Sequence, residues 1–330
     1  MHISILGDGG WGTTLAILLN EKGFQVTLWG AFEDYTRYLD RYRINKRFLP
    51  GVKIPKRIKI TNDLNQAVFA GGDLIILSIP SQYMRGVLRQ VRRVGVPASA
   101  IFLSVSKGIE VGSLKRMSEV MRDELKRVRS AVLSGPTIAR EVAYGIPSVA
   151  VAASEDKKVS RRIQDIFMTE RFRVYTNYDV AGVELGGSLK NIIAIACGIS
   201  DGLGFGTNTK AALLSRGLVE ISRLGLAMGA RARTFSGISG LGDLVTTCIS
   251  PYSRNRFVGV EIGKGKSLRQ IQSHMQMVAE GVPTAKSAHF LSLKHKVEMP
   301  IAQEIYSVLY KNKSPLKALN DLMARSKKEE

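Results

Sequence analysis

The apolar residues in the first half of the chain fall in short, nearly continuous runs separated by stretches of helical period. Such runs are typical of strands that are buried on both faces of a parallel sheet. They predict strands at residues 3–6, 24–29, 73–79, 99–105, 131–133, 147–152 and 172–175. The helical pattern at residues 13–22, with Gly23 after it as a C-cap, fits the alternation of strands and helices in a doubly wound α/β domain.

From about residue 181 onward the pattern changes, and apolar residues recur at helical spacing. This spacing predicts long helices at residues 183–199, 207–228, 267–275, 284–293 and 301–310. We therefore expect two domains, an α/β domain over residues 1–187 and an all-helical domain over residues 188–330. A length of 330 residues allows each of them its own hydrophobic core.

A glycine-rich turn stands between the first predicted strand and the first predicted helix. It fits the G-x-G-x-x-G pattern of dinucleotide-binding domains and reads Gly7-Asp8-Gly9-Gly10-Trp11-Gly12. The first glycine of the pattern permits a tight turn, the second lets backbone approach a pyrophosphate, and the third lets helix and strand pack closely. The helix N-terminus adds free N–H groups for phosphate. A flexible turn would also be rich in glycine, but this position predicts a Rossmann-like domain that binds NAD or NADP.

The residues after the second predicted strand bear on the choice between NAD and NADP. An acidic residue at this strand end binds the ribose 2′-hydroxyl of NAD, whereas an arginine accommodates the 2′-phosphate of NADP. Here Ala31 and Phe32 are followed by Glu33 and Asp34, so the sequence favours NAD. The nearest basic residues are spaced for a helix turned away from the strand end and would have to fold back to reach a phosphate: Arg37, Arg41 and Arg43.

Lys190 is a candidate for acid–base chemistry. It follows two glycines and stands among aliphatic residues, in Gly186-Gly187-Ser188-Leu189-Lys190-Asn191-Ile192. An ammonium group in apolar surroundings is poorly solvated, and such a lysine can serve as a general acid or base. Lysines at a helix edge more commonly lay their stems over apolar surface and keep the charge in water. The segment by itself leaves both roles open.

Further segments place polar groups beside glycines or at predicted strand ends. Lys107 and Thr137 each follow a predicted strand, and ligands of open α/β sheets bind at such carboxyl ends. Asp243 lies in Gly240-Leu241-Gly242-Asp243-Leu244, between predicted helices. Arg254, in Ser253-Arg254-Asn255-Arg256, offers a planar guanidinium suited to phosphate. Each segment alone is compatible with a turn or a solvated charge, and their occurrence together favours a functional site.

The formal net charge of +20, from 48 Lys and Arg against 28 Asp and Glu, raises the possibility of a nucleic-acid or membrane partner. The basic residues are dispersed, however, and no compact basic block is interleaved with aromatic residues. A nucleic-acid site should leave such a footprint. We therefore expect a solvated basic surface and no nucleic-acid partner.

The two cysteines, Cys197 and Cys248, lie far apart and form no CxxC or metal-ligand spacing. This favours a reducing compartment and predicts neither a zinc site nor a disulfide framework. The chain starts with a predicted strand rather than a secretory leader, and its longest apolar run, residues 192–199, is too short to span a bilayer. We expect a cytoplasmic protein without stable membrane insertion and without a metal.

The motifs occur in an order that resembles the bacterial NAD(P)-dependent glycerol-3-phosphate dehydrogenases over nearly the whole chain. The Gly-Gly-Ser-Leu-Lys-Asn and Ser-Arg-Asn-Arg segments are specific to that family, whereas the dinucleotide motif is not. Besides the glycine turn, the resemblance rests on Phe48-Leu49-Pro50-Gly51, Val105-Ser106-Lys107-Gly108-Ile109-Glu110, Ser134-Gly135-Pro136-Thr137, Glu184-Leu185-Gly186-Gly187, Lys190-Asn191, Gly240-Leu241-Gly242-Asp243-Leu244, Ser253-Arg254-Asn255-Arg256 and Ala279-Glu280-Gly281-Val282.

The resemblance implies interconversion of dihydroxyacetone phosphate and sn-glycerol 3-phosphate, the entry to phospholipid synthesis, and we expect a homodimer. It implies that Lys190 transfers the proton, with Lys107 and Asp243 beside it. The substrate contacts that it implies come from Lys107, Gly135, Thr137, Asn191, Thr247, Ser253, Arg254 and Asn255. The cofactor contacts come from Gly7, Gly9, Gly10, Trp11, Gly12, Lys107, Ala139, Arg254, Val278 and Glu280.

Two alternatives stay open at this point. Other two-domain dehydrogenases, such as 3-hydroxyacid or 6-phosphogluconate enzymes, share a glycine-rich start and a helical second domain, although the Ser-Arg-Asn-Arg segment argues against them. A non-catalytic nucleotide sensor that binds membrane or nucleic acid through its basic surface is the alternative of another class.

Overall fold

The structure is a computed structural model that describes residues 1–70, 72–97, 99–126, 128–327 and 329. Two compact units make up the chain. Unit 1 contains Met1–Lys107 and Lys115–Glu184, and unit 2 contains Gly108–Leu114 and Leu185–Glu330. The short segment 108–114 therefore belongs to unit 2, although the residues on both sides of it belong to unit 1. The boundary at residue 187 expected from the sequence stays a prediction.

Unit 1 is built on an eight-stranded sheet in the order β3-β2-β1-β4-β5-β6-β7-β8. All neighbouring strands are parallel except β6 and β7, which pair antiparallel. Seven strands coincide with predicted apolar runs, and β3 was not predicted because its three residues are too short for a pattern. The strands are β1 His2–Leu6, β2 Gln25–Trp29, β3 Lys59–Thr61, β4 Leu74–Leu77, β5 Ile101–Ser104, β6 Arg129–Ser134, β7 Ser148–Ala153 and β8 Phe172–Asn177.

Helices cover both faces of this sheet, which confirms the predicted Rossmann-like α/β architecture. Alternate residues of one strand enter different cores: Ile3 and Ile5 pack into one cluster, and Leu6 packs into the other. This two-residue period explains why the strands read as continuous apolar runs. The helices of unit 1 are α1 Gly10–Glu21, α2 Glu33–Tyr42, α3 Leu64–Ala70, α4 Met84–Val94, α5 Met117–Leu125, α6 Ala139–Ala143 and α7 Lys157–Phe167.

The named elements in the described residues of unit 2 are helices, as predicted, with loops between them. Its central helix, α8 Val180–Gly202, starts in unit 1 and is buried over residues 185–200. The sequence pattern missed short or weakly amphipathic helices such as those at Asp243–Ile249 and Arg254–Gly263. The remaining helices are α9 Thr207–Ala227, α10 Ala232–Phe235, α11 Asp243–Ile249, α12 Arg254–Gly263, α13 Leu268–His274, α14 Gly281–His295, α15 Pro300–Tyr310 and α16 Pro315–Met323.

By length and composition alone, α8 could cross a membrane, and the apolar run 192–199 is only its central part. However, 89% of its most apolar 18-residue window is buried inside the protein. Burial on all sides is what makes a core helix apolar around its whole circumference. The apolar character of α8 is therefore explained by packing.

Candidate active site

The glycine turn between β1 and α1 has the geometry that the sequence pattern requires. Gly7 has φ +119°, and a Cβ there would lie 2.3 Å from the Ser78 carbonyl oxygen. A Cβ on Gly12 would lie 1.9 Å from the Gly7 carbonyl oxygen. These two positions exclude every side chain, because the first needs left-handed backbone and both are in contact with backbone atoms. The turn thus brings the start of α1 directly against the end of β1.

Gly9 leaves room beside the N-terminus of α1. A Cβ built on Gly9 would meet no atom within 4 Å, and Gly9 is the N-cap of α1 without a side-chain cap in the described residues. The first N–H groups of α1 therefore receive no side-chain cap from Gly9, and a helix N-terminus of this kind can bind the pyrophosphate of a dinucleotide. The chain's own residues fit NAD or NADP at this turn.

The other predicted cofactor residues of unit 1 surround the turn. A Cβ on Gly10 would lie 2.5 Å from the Phe48 carbonyl oxygen and 3.9 Å from the Ala139 Cβ. The Ala139 carbonyl accepts a hydrogen bond of 3.0 Å from the Thr14 hydroxyl of α1, which fixes α6 beside the turn. The Trp11 ring packs against the core, with its centroid 6.4 Å from that of Phe172.

The acidic residues that the sequence placed near the ribose are exposed on α2. The side chains of Glu33 and Asp34 are 64% and 97% exposed, and both pair with Arg37. Arg43 is likewise engaged, since it pairs with Asp40 and donates to the Ile58 carbonyl at 2.6 Å. Neither the predicted carboxylates nor these arginines are fixed towards the end of β2.

Asp8, inside the glycine turn, is a carboxylate that the sequence analysis did not single out. Its Oδ2 is buried and has no hydrogen-bond partner in the described structure. Burial raises the pKa of Asp8 to about 6, although its own backbone N–H and the charge of Arg47 act in the opposite direction. The sequence did contain a signal for Asp8, because this ionisable residue stands at the first variable position of the G-x-G-x-x-G motif.

Lys107, Gly135 and Thr137 come together at the carboxyl ends of β5 and β6. The Lys107 ammonium donates to the Gly135 carbonyl at 2.7 Å and lies 3.5 Å from the Thr137 hydroxyl. The two strands are parallel neighbours, so their ends meet at the same edge of the sheet. The two sequence segments are therefore adjacent, and a lysine lies at the carboxyl edge of the sheet, where ligands of open α/β sheets bind.

In unit 2, three side chains form what we call the lysine cluster: Lys190 of α8 with Asp243 and Thr247 of α11. The Lys190 ammonium donates to the Asp243 carboxylate and, at 2.5 Å, to the Thr247 hydroxyl. Thr247 in turn donates to the Asp243 carbonyl at 2.7 Å. Lys190 is only 4% exposed and Asp243 only 1%. Lys190 is therefore a buried ammonium with a carboxylate partner, not a lysine that extends into water.

The predicted substrate residues Asn191 and Asn255 form a second buried contact in unit 2. The Asn255 amide donates to the Asn191 Oδ1 at 2.8 Å, and the Gly281 N–H donates to the Asn255 Oδ1 at 2.8 Å. A Cβ on Gly281 would lie 2.7 Å from the Asn191 carbonyl. The amide orientations are thus fixed by α8, α12 and the start of α14.

Close glycine packing between α8 and α12 sets this geometry. A Cβ on Gly198 would lie 2.1 Å from the Arg256 carbonyl oxygen, and one on Gly259 would lie 2.1 Å from the Ile195 carbonyl oxygen. Gly202 and Gly263 repeat the contact one turn further along. Since no side chain fits there, the helix that carries Lys190 and the helix that carries Asn255 approach through their backbones.

Arg254 lies at the start of α12, where Ser253 is the N-cap and accepts from the Arg256 N–H at 3.2 Å. Arg254 is exposed, and its Nη1 donates to the Val278 carbonyl at 2.9 Å. Glu280 lies close enough to interact with its charge. The structure therefore groups the predicted phosphate and cofactor residues of unit 2 at one helix N-terminus.

An ion-pair network that the sequence analysis did not find braces these helices. Asp201 of α8 accepts from Arg256 of α12 at 2.7 Å and from Lys210 of α9 at 2.6 Å. Separations of this size along the chain leave no local pattern. Within the described residues, no group of three or more His, Cys, Asp or Glu side chains could hold a metal ion.

Two family patterns match this chain, one over its first part and one over its second part. The pattern of the NAD-dependent glycerol-3-phosphate dehydrogenase N-terminus matches residues 2–160, and that of the C-terminus of the same family matches residues 179–320. The chain is 49% identical to glycerol-3-phosphate dehydrogenase [NAD(P)+] of Citrifermentans bemidjiense, over 99% of this chain and 98% of that protein. It is 50% identical to the enzyme of the same name from a Thermoanaerobacter species, over 100% and 99%.

Among solved structures, the chain is similar to a crystal structure of glycerol-3-phosphate dehydrogenase from Coxiella burnetii. The TM-score is 0.94 at 38% identity, and the alignment covers 98% of this chain and 99% of the other. A structure of the Saccharomyces cerevisiae glycerol-3-phosphate dehydrogenase aligns with a TM-score of 0.82 at 28% identity, over 98% and 99%.

Proposed function

The chain belongs to the NAD-dependent glycerol-3-phosphate dehydrogenase family, and from this membership we propose that it interconverts dihydroxyacetone phosphate and sn-glycerol 3-phosphate with NAD(P)H and NAD(P)+. The observation that carries the proposal is the lysine cluster. A buried ammonium held by a carboxylate and a hydroxyl is what the reduction of a ketone needs, since a proton must reach the carbonyl oxygen as the carbon is reduced.

The nicotinamide ring, when bound, supplies or accepts the hydride at C2 of the substrate. The protein's own part is to handle charge and proton at the C2 oxygen. Lys190 donates a hydrogen bond to this oxygen and then transfers its proton as the alkoxide develops. In the reverse direction the neutral amine takes the proton back.

Asp243 and Thr247 act on Lys190 rather than on the substrate oxygen. Their two acceptors fix the position of the ammonium, because both lie on one face of α11 four residues apart. The Asp243 carboxylate also stabilises the charged form of Lys190 in a buried environment. Fixed donors of this kind stabilise developing charge without reorganisation.

The remaining predicted residues bind and orient the substrate. Arg254 and Asn255 are proposed to hold the phosphate group, which does not react but positions the carbon that does. Lys107 is proposed to add positive charge near the developing alkoxide. Asn191, Ser253, Gly135 and Thr137 are proposed as further substrate contacts, and Ala139, Val278 and Glu280 as cofactor contacts.

The finer expectations from the sequence are part of the same proposal. We propose a cytoplasmic homodimer that supplies glycerol 3-phosphate to phospholipid synthesis. A +20 charge is compatible with acidic metabolites as ligands.

Oxidation of NADH on addition of dihydroxyacetone phosphate tests the proposal. We expect turnover with this substrate and none with 3-oxoacids, and no reduction of NADP+ by 6-phosphogluconate. Turnover of either rival substrate, or cofactor binding without any turnover, would contradict it. The second of these outcomes is the one expected of a nucleotide sensor.

A further inference from the structure

Two residues, one in the glycine turn and one next to it at the end of β2, have features that phosphate binding does not need. The first is the carboxylate of Asp8, whose Oδ2 is buried without a partner in the described structure. The second is Gly30, at the end of β2, where a Cβ would lie 2.4 Å from that same oxygen and 2.6 Å from the Thr36 hydroxyl. Glycine at position 30 therefore leaves the room that the Asp8 carboxylate occupies.

The sheet register explains why these two residues meet. Leu6 of β1 pairs with Trp29 of β2, and the Gly7 N–H donates to the Trp29 carbonyl at 2.9 Å. The first residue after the turn glycine is thereby carried to the end of β2. In dinucleotide-binding domains this strand end is where the adenosine ribose lies, and an acidic side chain there binds its 2′-hydroxyl.

We propose that Asp8, from the glycine turn, distinguishes NAD from NADP by accepting a hydrogen bond from the ribose 2′-hydroxyl and repelling a 2′-phosphate. The assignment rests on the proposed function. It replaces the expectation that Glu33 or Asp34 fills this role, because both of those side chains are exposed on α2 and paired with Arg37.

Among the described residues, no hydrogen-bond donor contacts the Oδ2 of Asp8. The Thr36 hydroxyl, which also lies next to Gly30, donates to the Phe32 carbonyl at 2.9 Å. A buried carboxylate oxygen without a donor is costly, and its pKa of about 6 reflects that cost. Rotation about the last side-chain torsion of aspartate is soft, so the oxygen can turn towards an arriving hydroxyl.

Arg47 is the other side chain that could distinguish NAD from NADP. It is exposed, its guanidinium lies 4.5 Å from the centre of the Tyr35 ring, and its charge lowers the pKa of Asp8. A guanidinium in this place could bind a 2′-phosphate. The Asp8 carboxylate lies directly beside Gly30 at the strand end, whereas the Arg47 guanidinium stacks on the Tyr35 ring, so we assign the selection to Asp8.

The test is the dissociation constant of NADH and of NADPH for Asp8→Asn, measured by fluorescence titration. Calorimetry with ADP-ribose and 2′-phospho-ADP-ribose, which lack nicotinamide, gives a readout without turnover. The variant keeps the shape of the side chain and removes the charge. We expect the NADPH-to-NADH ratio of dissociation constants to fall about tenfold or more, the effect of one charge-assisted contact.

The matched control is the double variant Glu33→Gln/Asp34→Asn, which should leave the ratio within twofold. Thermal unfolding shows whether Asp8→Asn folds, and Asp8→Ala provides a second variant if it does not. An unchanged ratio in both Asp8 variants would overturn the assignment, as would an equal shift in the control. So would a wild-type preference for NADPH that Arg47→Gln removes.

Failure of the proposed function is distinguishable from failure of this assignment. A wild-type protein that reduces dihydroxyacetone phosphate, with a ratio insensitive to Asp8, loses only the assignment. A wild-type protein that binds neither dinucleotide loses both.

Discussion

The glycine turn of unit 1 is built from backbone, whereas the lysine cluster of unit 2 is built from buried side chains. At the turn, Gly7 and Gly12 exclude any Cβ, and the groups proposed to bind the cofactor are main-chain N–H groups. In the cluster, Lys190 is held by Asp243 and Thr247 from another helix. The proposed cofactor site of unit 1 thus depends on the conformation of the backbone, whereas the proposed proton transfer in unit 2 depends on one side chain and its buried surroundings.

The largest expected effect follows from removing that side chain. In Lys190→Ala we expect turnover of dihydroxyacetone phosphate to fall about 10²–10⁴-fold, the usual contribution of general acid–base catalysis. The NADH dissociation constant should stay within about threefold of wild type, because Lys190 is not among the proposed cofactor contacts. Steady-state kinetics and fluorescence titration on one preparation measure both. A turnover number close to wild type would remove Lys190 from the mechanism.

Arg254→Ala sharpens the distinction between binding and chemistry within unit 2. We expect KM for dihydroxyacetone phosphate to rise about tenfold or more, since a charge-assisted contact to phosphate is lost. Unphosphorylated dihydroxyacetone should be affected far less. Parallel kinetics with the two substrates give the comparison, and equal losses on both would mean that Arg254 does not bind the phosphate.

Gly259→Ala tests whether helix packing positions the site of unit 2. A Cβ there would lie 2.1 Å from the Ile195 carbonyl, so α8 and α12 must move apart. We expect a loss of about 1–3 kcal/mol in the free energy of unfolding, the usual cost of overpacking. Turnover should fall while NADH binding persists, and denaturant unfolding with kinetics measures both.

The matched control for that variant is Gly86→Ala in α4, where a Cβ would meet nothing within 4 Å. Gly86 lies in the first turn of α4, so this change should leave the stability unchanged or raise it by up to about 0.5 kcal/mol. If both variants behaved alike, the close approach of α8 and α12 would not be what positions the site.

The smallest expected effect concerns pH and the turn. The pKa of Asp8 is raised to about 6, so its carboxyl group is charged above that pH and neutral below it. We expect the wild-type preference for NADH over NADPH to weaken as pH falls from about 7.5 to 5.5. The charged or titratable groups facing Asp8 are Arg47 and Tyr35. Burial raises the pKa of Tyr35 above its ordinary value, so its hydroxyl stays neutral over this range.

Asp8→Asn is the control for the pH series. In this variant the 2′-phosphate of NADPH still titrates, but residue 8 does not. Its preference should change less with pH than that of wild type. Identical pH profiles for the two proteins would show that Asp8 does not face the ribose.

Local patterns in the sequence predicted most of unit 1 and the main helices of unit 2. The strands could be found because burial on both faces gives continuous apolar runs, and Gly7 and Gly12 because their motif lies between a strand and a helix. The short strand at Lys59–Thr61 and the helix at Arg254–Gly263 could not, since the first has too few residues and the second packs through glycines.

The site was predicted residue by residue only where a family motif spans it. Lys190 alone left two roles open, and only the contact with Asp243, 53 positions away, distinguishes a buried, paired ammonium from a solvated one. The role of Asp8 was missed for the same reason: its meaning depends on Gly30, a neighbour across the sheet. Contacts between distant segments are set by packing, which no local pattern encodes.

Chemical rescue of Lys190→Ala tests the central claim most directly. The substitution leaves a gap beside Asp243 and Thr247 into which a small primary amine fits, and the protonated amine can take over the proton transfer. We predict that methylamine or ethylamine raises the rate of NADH oxidation with dihydroxyacetone phosphate in a saturable manner, while wild type is unaffected. A folded variant that binds NADH, but whose rate no amine raises, would contradict the assignment of Lys190 as the proton donor.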